Sequence, residues 1–280
     1  MPGAVLAYDV RVNATTTEPV LLLIGAPMAA GAFAALAGQF PDRTVVTYDP
    51  RGSERSRLAD PSAGTTPQEH ADDLHRLILA LDAGPADMFA TSGGAVNALE
   101  LVARHPRQVR TLVAHEPPAL AVLPDRDAAL AASVAVHETY LRSGAGPAMA
   151  QFIALATLDG PVPADVASRP GPDPAAFGLP TADDGSRDHP LLGRHMISST
   201  HYEPDFDALR AAPTRIVIGV GAESGNTVAG RGAKAVAGRL GTAPVTFPSG
   251  HNGFVGGDGH PAGEPEAFAA MLRRVLAGEG

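Results

Sequence analysis

Residues 86–101, ADMFATSGGAVNALEL, change from a strand-like to a helix-like pattern within two residues. The apolar run before Ser92 is short and follows the Gly-Pro pair at 84–85, which is typical of a buried strand. After Ser92 come two glycines and then apolar residues at helical spacing: Val96, Leu99 and Val102. The stretch therefore predicts a strand, a sharp turn at Ser92 and a helix.

The turn at Ser92 fits two interpretations. In the motif G-x-S-x-G, called a nucleophile elbow, a serine occupies a strained strand-to-helix turn that exposes its hydroxyl. Here Ala90 stands at the first glycine position and Gly94 at the last. Alanine also keeps the turn uncrowded, so this departure weakens the match only a little. The alternative is an ordinary helix with serine as its N-cap, and the stretch alone leaves both open.

Apolar runs of the kind found in parallel sheets recur along the chain. They cover residues 20–25, 44–48, 86–90, 110–114 and 214–220, and 243–247 is also strand-like. Helical patterns between and after them cover 31–40, 67–81, 232–240 and 266–276. This alternation predicts an α/β fold with a doubly wound, mostly parallel sheet. An antiparallel edge strand is expected at 4–12.

One segment, from Pro117 to Asp207, interrupts the alternation. It lacks parallel-strand runs and instead predicts helices at 128–140, 148–158 and 191–200, with a Pro- and Gly-rich linker between the second and third. The simplest interpretation is an insertion above the carboxyl edge of the strands, where ligands bind in open α/β sheets. We therefore expect a core of residues 1–118 and 208–280 and a helical cap of residues 119–207.

Composition narrows the class of protein. The 280 residues contain no cysteine, which excludes disulfides, thiolate chemistry and cysteine-based metal sites. A formal net charge of -9 argues against nucleic-acid and anionic-membrane partners. The N-terminal sequence lacks a signal-peptide pattern, and no stretch approaches the roughly 20 apolar residues of a membrane span. We expect a soluble, cytoplasmic protein that needs no cofactor or metal.

A serine becomes a good nucleophile only when a base takes its proton and a carboxylate orients that base. Of the ten histidines, His251 has the right position, after the last predicted strand and before the last helix. Histidines on predicted core helices, namely His70, His75 and His105, are expected at the surface. His137, His195 and His201 lie in the predicted cap, where they could face either a pocket or solvent.

Six stretches together resemble the α/β-hydrolase superfamily and follow its order. They are VLLLIGAPM (20–28), YDPRGSERS (48–56), FATSGGA (89–95), RTLVAHEPP (110–118), RIVIGVGAES (215–224) and SGHNGF (249–254). The resemblance implies a sheet of seven or eight strands, a helical cap and a Ser-His-acid triad. Ser92 would be the nucleophile and His251 the base.

Two carboxylates could complete the implied triad. Most members of the superfamily take the acid from a position two residues beyond a glycine after the strand before the last, which Gly221 and Glu223 match. A minority, including lactonases resembling the zearalenone hydrolases, take it from the end of the strand after the nucleophile helix, which Glu116 matches. Glu223 is preferred slightly, with Glu116 as the alternative.

The expected oxyanion hole also departs from the commoner family pattern. Family members often carry His-Gly after the first buried strand, where this chain has Gly25-Ala26-Pro27-Met28. The chemistry requires backbone N–H donors, and proline has none. We expect one donor from Gly93, the residue after the serine, and the second from Met28, with Ala26 as the less favoured candidate.

The resemblance implies a carboxylesterase- or lactonase-like serine hydrolase that cleaves a small ester or lactone through an acyl-enzyme. Apolar residues in the predicted cap suggest a hydrophobic substrate, although docking the cap on the core would require the same residues. A C–C bond hydrolase, an acyl transferase or a perhydrolase could use the same triad, and a catalytically idle binder could share the fold. A metal hydrolase using His195 and His201 has no ligand spacing that we recognise. The sequence identifies neither the substrate nor the oligomeric state.

Overall fold

The computed structural model describes residues 1–257 and 263–279. Residues 258–262 and 280, which belong to the predicted core, lie outside the described residues.

Most strands join one twisted sheet. The strands are β1 (Ala4–Val5), β2 (Tyr8–Arg11), β3 (Leu21–Ile24), β4 (Val45–Tyr48), β5 (Arg57–Leu58), β6 (Ala86–Thr91), β7 (Val109–His115), β8 (Arg215–Gly221) and β9 (Val245–Phe247). In the described ranges the main sheet has seven strands, in the order β2-β4-β3-β6-β7-β8-β9. Strand β2 is antiparallel to β4, and all other neighbours are parallel. The predicted doubly wound, mostly parallel sheet is confirmed, but the single edge strand expected at 4–12 is divided, because β1 pairs with β5 instead.

Helices connect these strands. They are α1 (Ala34–Gly38), α2 (Pro67–Ala80), α3 (Gly93–Arg104), α4 (Arg126–Ser143), α5 (Ala145–Ala156), α6 (Met196–Thr200), α7 (Phe206–Ala211), α8 (Val228–Leu240) and α9 (Pro265–Leu276). Helix α2 starts where the sequence predicts because Thr66 and Glu69 form a capping box and Pro67 opens the first turn. The helix expected at 31–40 is shorter, since a 3₁₀ turn at Ala30–Phe33 precedes α1.

The central strands of the sheet are buried on both faces, which explains their continuous apolar sequences. Successive side chains of a strand point to opposite faces. On β3, Leu22 and Ile24 therefore join the apolar cluster under α2, α3 and α8. Leu21 and Leu23 join the cluster under α1 and α9. Two helical layers thus fix the carboxyl ends of the central strands from both sides.

Helices α4, α5, α6 and α7 lie between β7 and β8 and form an insert. Helices α4 and α5 pack against each other, and a π-helical turn at Pro190–His195 leads into α6. Helix α6 packs on α3 of the core. The Arg194 guanidinium donates to the carbonyl oxygens of Gly52 (3.1 Å) and Pro61 (2.7 Å). These contacts hold the insert over the carboxyl edge of the sheet.

Within the described part of the chain, every helix is too short or too polar to cross a membrane.

Candidate active site

Ser92 occupies a strained turn between β6 and α3. Its backbone angles are φ 55° and ψ -131°, in the positive-φ half of the Ramachandran map that disfavours residues with a side chain. Holding a non-glycine residue there costs on the order of 1–3 kcal/mol. An N-cap serine has extended angles, and its hydroxyl accepts a hydrogen bond from the helix, whereas the Ser92 hydroxyl makes no such bond. The N-cap interpretation is therefore wrong for this side chain, and the geometry is that of the elbow.

The two glycines after Ser92 are required by the close approach of the loop after β3. A Cβ atom on Gly94 would lie 2.6 Å from the Cα of Gly25. A Cβ atom on Gly93 would lie 2.5 Å from the carbonyl oxygen of Ala26. By contrast, Ala90 fits within β6 with no exposed surface. The alanine that departs from the motif is therefore tolerated, while the glycine at its last position is not replaceable without movement of the backbone.

His251 lies after β9, and its side chain is 35% exposed. Its Nδ1 atom is 2.7 Å from Oε2 of Glu116. An ionised carboxylate only accepts hydrogen bonds, so Nδ1 carries the proton and Nε2 keeps a free lone pair. Ser92 and His251 line the same cavity. In the described residues the Ser92 hydroxyl makes no direct hydrogen bond to His251, and such bonds commonly tighten only when substrate binds.

Glu116 follows β7 directly and is fully buried, with φ 48°. Its Oε1 atom accepts the backbone N–H of Gly221 at 2.8 Å. Burial raises the pKa of Glu116, but the hydrogen bond from His251 and the nearby imidazoles outweigh it and lower the pKa to about 2. The residue is thus a permanent carboxylate that fixes the orientation of the His251 ring.

Glu223, the preferred acid in the sequence analysis, makes no hydrogen bond to His251, whose Nδ1 pairs with Glu116. It lies after β8 as expected, but its side chain is exposed and its carboxylate has the Ser249 hydroxyl as a hydrogen-bond partner, at 3.4 Å. The preference for Glu223 over Glu116 as the partner of His251 is therefore wrong. The physical reason is that Glu116 turns inward through its left-handed φ and is anchored by Gly221, the glycine that was expected to lead to the acid.

The backbone around Ser92 offers hydrogen-bond donors. Gly93 opens α3, and the first N–H groups of a helix have no acceptor within the helix. Ala26, Ser92 and Gly93 line a small cavity of about 60 Å³. Met28 instead packs beside the apolar cluster under α1 and α9. The second donor, Met28 or Ala26, stays a prediction.

A cavity of about 480 Å³ connects the core and the insert. Core residues on its wall include Ser92, His251 and Glu223, and the insert supplies mainly apolar side chains: Leu120, Phe152, Leu155 and Met196. A larger crevice, of about 650 Å³, runs beside the edge strand β2, but it holds neither Ser92 nor His251. The cavity of about 480 Å³ is therefore the one in which a substrate can reach both Ser92 and His251.

Three buried histidines lie close to residues of this site. His115, just before Glu116, is fully buried, and burial lowers its pKa to about 4. His195 lines the small cavity beside Ser92, and burial lowers its pKa to about 4 as well. The ring of His70 is 5.0 Å from that of His195 between centroids, and His70 is 1% exposed. The expectation that His70 lies at the surface is wrong, because α2 turns it under the insert.

The other proposed histidine ligand, His201, places Nε2 2.8 Å from the Ser133 hydroxyl. Among residues 1–257 and 263–279, no group of three or more histidines and carboxylates could hold a metal ion.

The fold agrees with comparison to known proteins. A family model described as alpha/beta hydrolase fold matches residues 18–169, more than half of the chain. The chain belongs to the α/β-hydrolase family.

Among individual relatives, the chain is similar to the uncharacterized hydrolase YraK of Bacillus subtilis (strain 168), with 41% identity over 125 residues. That match covers 44% of this chain and only 45% of the relative. A carboxylesterase structure from Nitrososphaera gargenis superposes with a TM-score of 0.66 and 19% identity, covering 98% of this chain and 94% of the other. The structure of the enol-lactonase from Burkholderia xenovorans LB400 superposes with a TM-score of 0.66 and 16% identity, covering 98% of this chain and 97% of the other. At these identities the two structures establish the fold.

Proposed function

We propose that the protein is a serine-dependent hydrolase that cleaves an ester or lactone of a small, hydrophobic substrate through an acyl-enzyme. The observation that carries the proposal is the strained Ser92 turn, whose hydroxyl does not cap its helix and shares a cavity with His251. A binding protein has no need to maintain this strain, to orient His251 and to bury a charged Glu116 behind it.

In the proposed reaction the Ser92 hydroxyl attacks the substrate carbonyl, and Nε2 of His251 takes its proton. The buried Glu116 carboxylate holds Nδ1–H and stabilises the imidazolium that forms. The negative oxygen is held by the Gly93 N–H and by a second donor from the turn containing Ala26 and Met28. His251 then protonates the leaving alcohol, which leaves the acyl group on Ser92. In the second half of the reaction water attacks this acyl-enzyme and gives its proton to His251. His251 then protonates the Ser92 oxygen as the acid is released.

We assign residues 1–118 and 208–280 to the catalytic core and residues 119–207 to a cap. The apolar side chains that the insert adds to the cavity support a hydrophobic substrate, because lids of this kind exclude water and bury the acyl or alcohol part. The carboxylesterase and enol-lactonase among the similar folds are consistent with ester or lactone cleavage. The choice of reaction rests on the site itself.

The test is labelling with a fluorophosphonate together with turnover of p-nitrophenyl esters and lactones. We expect stoichiometric labelling and turnover in the unmodified protein, and neither in Ser92→Ala. Ser198→Ala is the matched control, since that hydroxyl bonds only to carbonyls of its own segment. Equal labelling of Ser92→Ala and the parent protein, or no labelling of either, would overturn the proposal. So would turnover that a chelator abolishes.

A further inference from the structure

We propose that Glu223 selects substrates by charge. Its carboxylate disfavours esters with a negative group near the scissile bond and favours those that present a positive charge or a hydrogen-bond donor. This inference rests on the proposed ester hydrolysis and adds the chemical class of substrate to it.

Glu223 lies on the wall of the catalytic cavity without belonging to the Ser92, His251 and Glu116 arrangement. Its backbone is fixed, because its N–H donates to the carbonyl oxygen of Ser249 at 3.0 Å. Its carboxylate has one side-chain partner in the described part of the chain, the Ser249 hydroxyl at 3.4 Å, and no salt bridge there. The negative charge is therefore available to a bound molecule.

The first two cationic side chains of the following helix, α8, do not neutralise that charge. Arg231 pairs with Asp125, and Lys234 donates from Nζ to the carbonyl oxygen of Gly225 at 2.7 Å. Neither of them lines the cavity. Among the described lining residues there is no lysine or arginine. An anionic substituent would therefore enter the cavity beside a carboxylate and find no opposite charge to offset the repulsion.

Four of the hydroxyl groups on the wall add acceptors rather than donors. Ser133 donates to Leu130, Thr157 to Ile153, Thr200 to Met196 and Thr227 to Ser224, in each case to the backbone carbonyl oxygen. A hydroxyl has a single proton, so these four groups can offer only lone pairs to a ligand. Away from the oxyanion position, Asn252 and Ser224 are the uncharged polar side chains of the wall with donors to offer. Acceptors therefore outnumber donors among these polar side chains.

The expected size of the effect follows from exposure. Glu223 reaches solvent, and water and salt screen its charge, so the discrimination should be about fivefold in each direction and not hundreds of fold.

The experiment compares kcat/KM for three p-nitrophenyl esters of similar length: a neutral pentanoate, a hemiglutarate with a free carboxylate and a 4-(trimethylammonio)butanoate. Substituting Glu223→Gln should raise the anionic-to-neutral ratio of kcat/KM about fivefold and lower the cationic-to-neutral ratio about fivefold. Both changes should shrink in 0.5 M sodium chloride. Glu203→Gln, which removes the same charge at an exposed position outside the cavity, should leave both ratios as they are.

The outcomes separate the two proposals. If the neutral ester is hydrolysed but Glu223→Gln changes neither ratio, the charge-selection inference fails alone. A loss of a thousandfold on the neutral ester in Glu223→Gln would also overturn it, because the residue would then support the chemistry. If the parent protein hydrolyses no neutral ester or lactone, the proposed function is wrong, and the charge-selection inference is then wrong as well.

Discussion

The carboxylate of Glu116 and the imidazole of His251 lie 2.7 Å apart, although 135 positions separate them in the chain. The contact crosses from the end of β7 to the loop after β9, passing over the end of β8. Gly221, the last residue of β8, completes it by donating its N–H to the second carboxylate oxygen. Three parallel strands therefore contribute to the orientation of one imidazole ring.

Glu116→Gln should lower kcat by roughly 10³-fold or more, because an amide cannot hold the His251 tautomer or stabilise its positive charge. Glu223→Gln should cost less than tenfold on a neutral ester. The measurement is kcat for a p-nitrophenyl ester in both purified variants, with circular dichroism to check folding. A larger loss of kcat in Glu223→Gln than in Glu116→Gln would mean that Glu223 is the triad acid.

Gly94→Ala should destabilise the fold by about 2 kcal/mol or more and reduce turnover. Its new Cβ would meet three backbone atoms of Gly25 at 2.6–3.0 Å, and backbone cannot move aside as a flexible side chain does. Gly38→Ala is the matched control, since nothing lies within 4 Å of its added Cβ at the end of α1. That variant should be neutral or slightly stabilising. Urea unfolding of the two variants distinguishes them, and similar midpoints would contradict the steric argument.

Asp73→Ala should cost about 3–5 kcal/mol of unfolding free energy, because it leaves the buried Arg51 guanidinium without its bidentate partner. The neighbouring Asp72→Ala removes an i,i+4 pair with Arg76 at the surface and should cost less than about 0.5 kcal/mol. Thermal and urea unfolding of this adjacent pair of variants provides the measurement. Equal costs would mean that burial does not decide the strength of these ion pairs.

The stability of the protein should fall as the pH drops from about 6.5 to about 4. Burial lowers the pKa of His195 to about 4, so in this window the unfolded chain binds a proton that the folded chain excludes. Above pH 6.5 the effect is absent, and below pH 4 it levels off. The full shift corresponds to about 3 kcal/mol for this residue.

His195→Gln tests that expectation, because glutamine does not titrate. The pH-dependent loss of stability between pH 7 and pH 4 should be smaller in the variant by about 3 kcal/mol, measured by urea unfolding at each pH. Parallel curves for the variant and the parent protein would show that His195 does not carry this proton linkage.

Much of the fold was predictable because continuous apolar runs indicate buried strands and helical periodicity indicates helices with one buried face. The strands β3, β4, β6, β7 and β8 lie within two residues of their predicted limits. The split of the edge strand into β1 and β2 was not predictable, because pairing of Ala4 and Val5 with β5 is a contact made across more than 50 residues.

For the site, the order of residues along the chain singled out Ser92 and His251, whereas the sequence favoured Glu223 only slightly over Glu116 as the acid. Glu116 and Glu223 follow adjacent parallel strands, and such strands end at the same edge of a sheet, so sequence places both near His251. What decides between them is the left-handed φ of Glu116 and the hydrogen bond from Gly221. His70 was misplaced for a related reason: it lies on the side of α2 that the insert covers, and the sequence of α2 does not contain that information.

The attachment of Glu116 to β7 has a consequence for how this protein can change over evolution. In the proposed mechanism His251 is held from β7 and β8 contributes only a backbone N–H, so the exposed Glu223 side chain, in the loop after β8, is released from the reaction itself. Mutations there can accumulate without disabling the enzyme, and they alter the wall that incoming molecules meet. New substrate ranges can therefore arise through this loop while the chemistry is inherited intact.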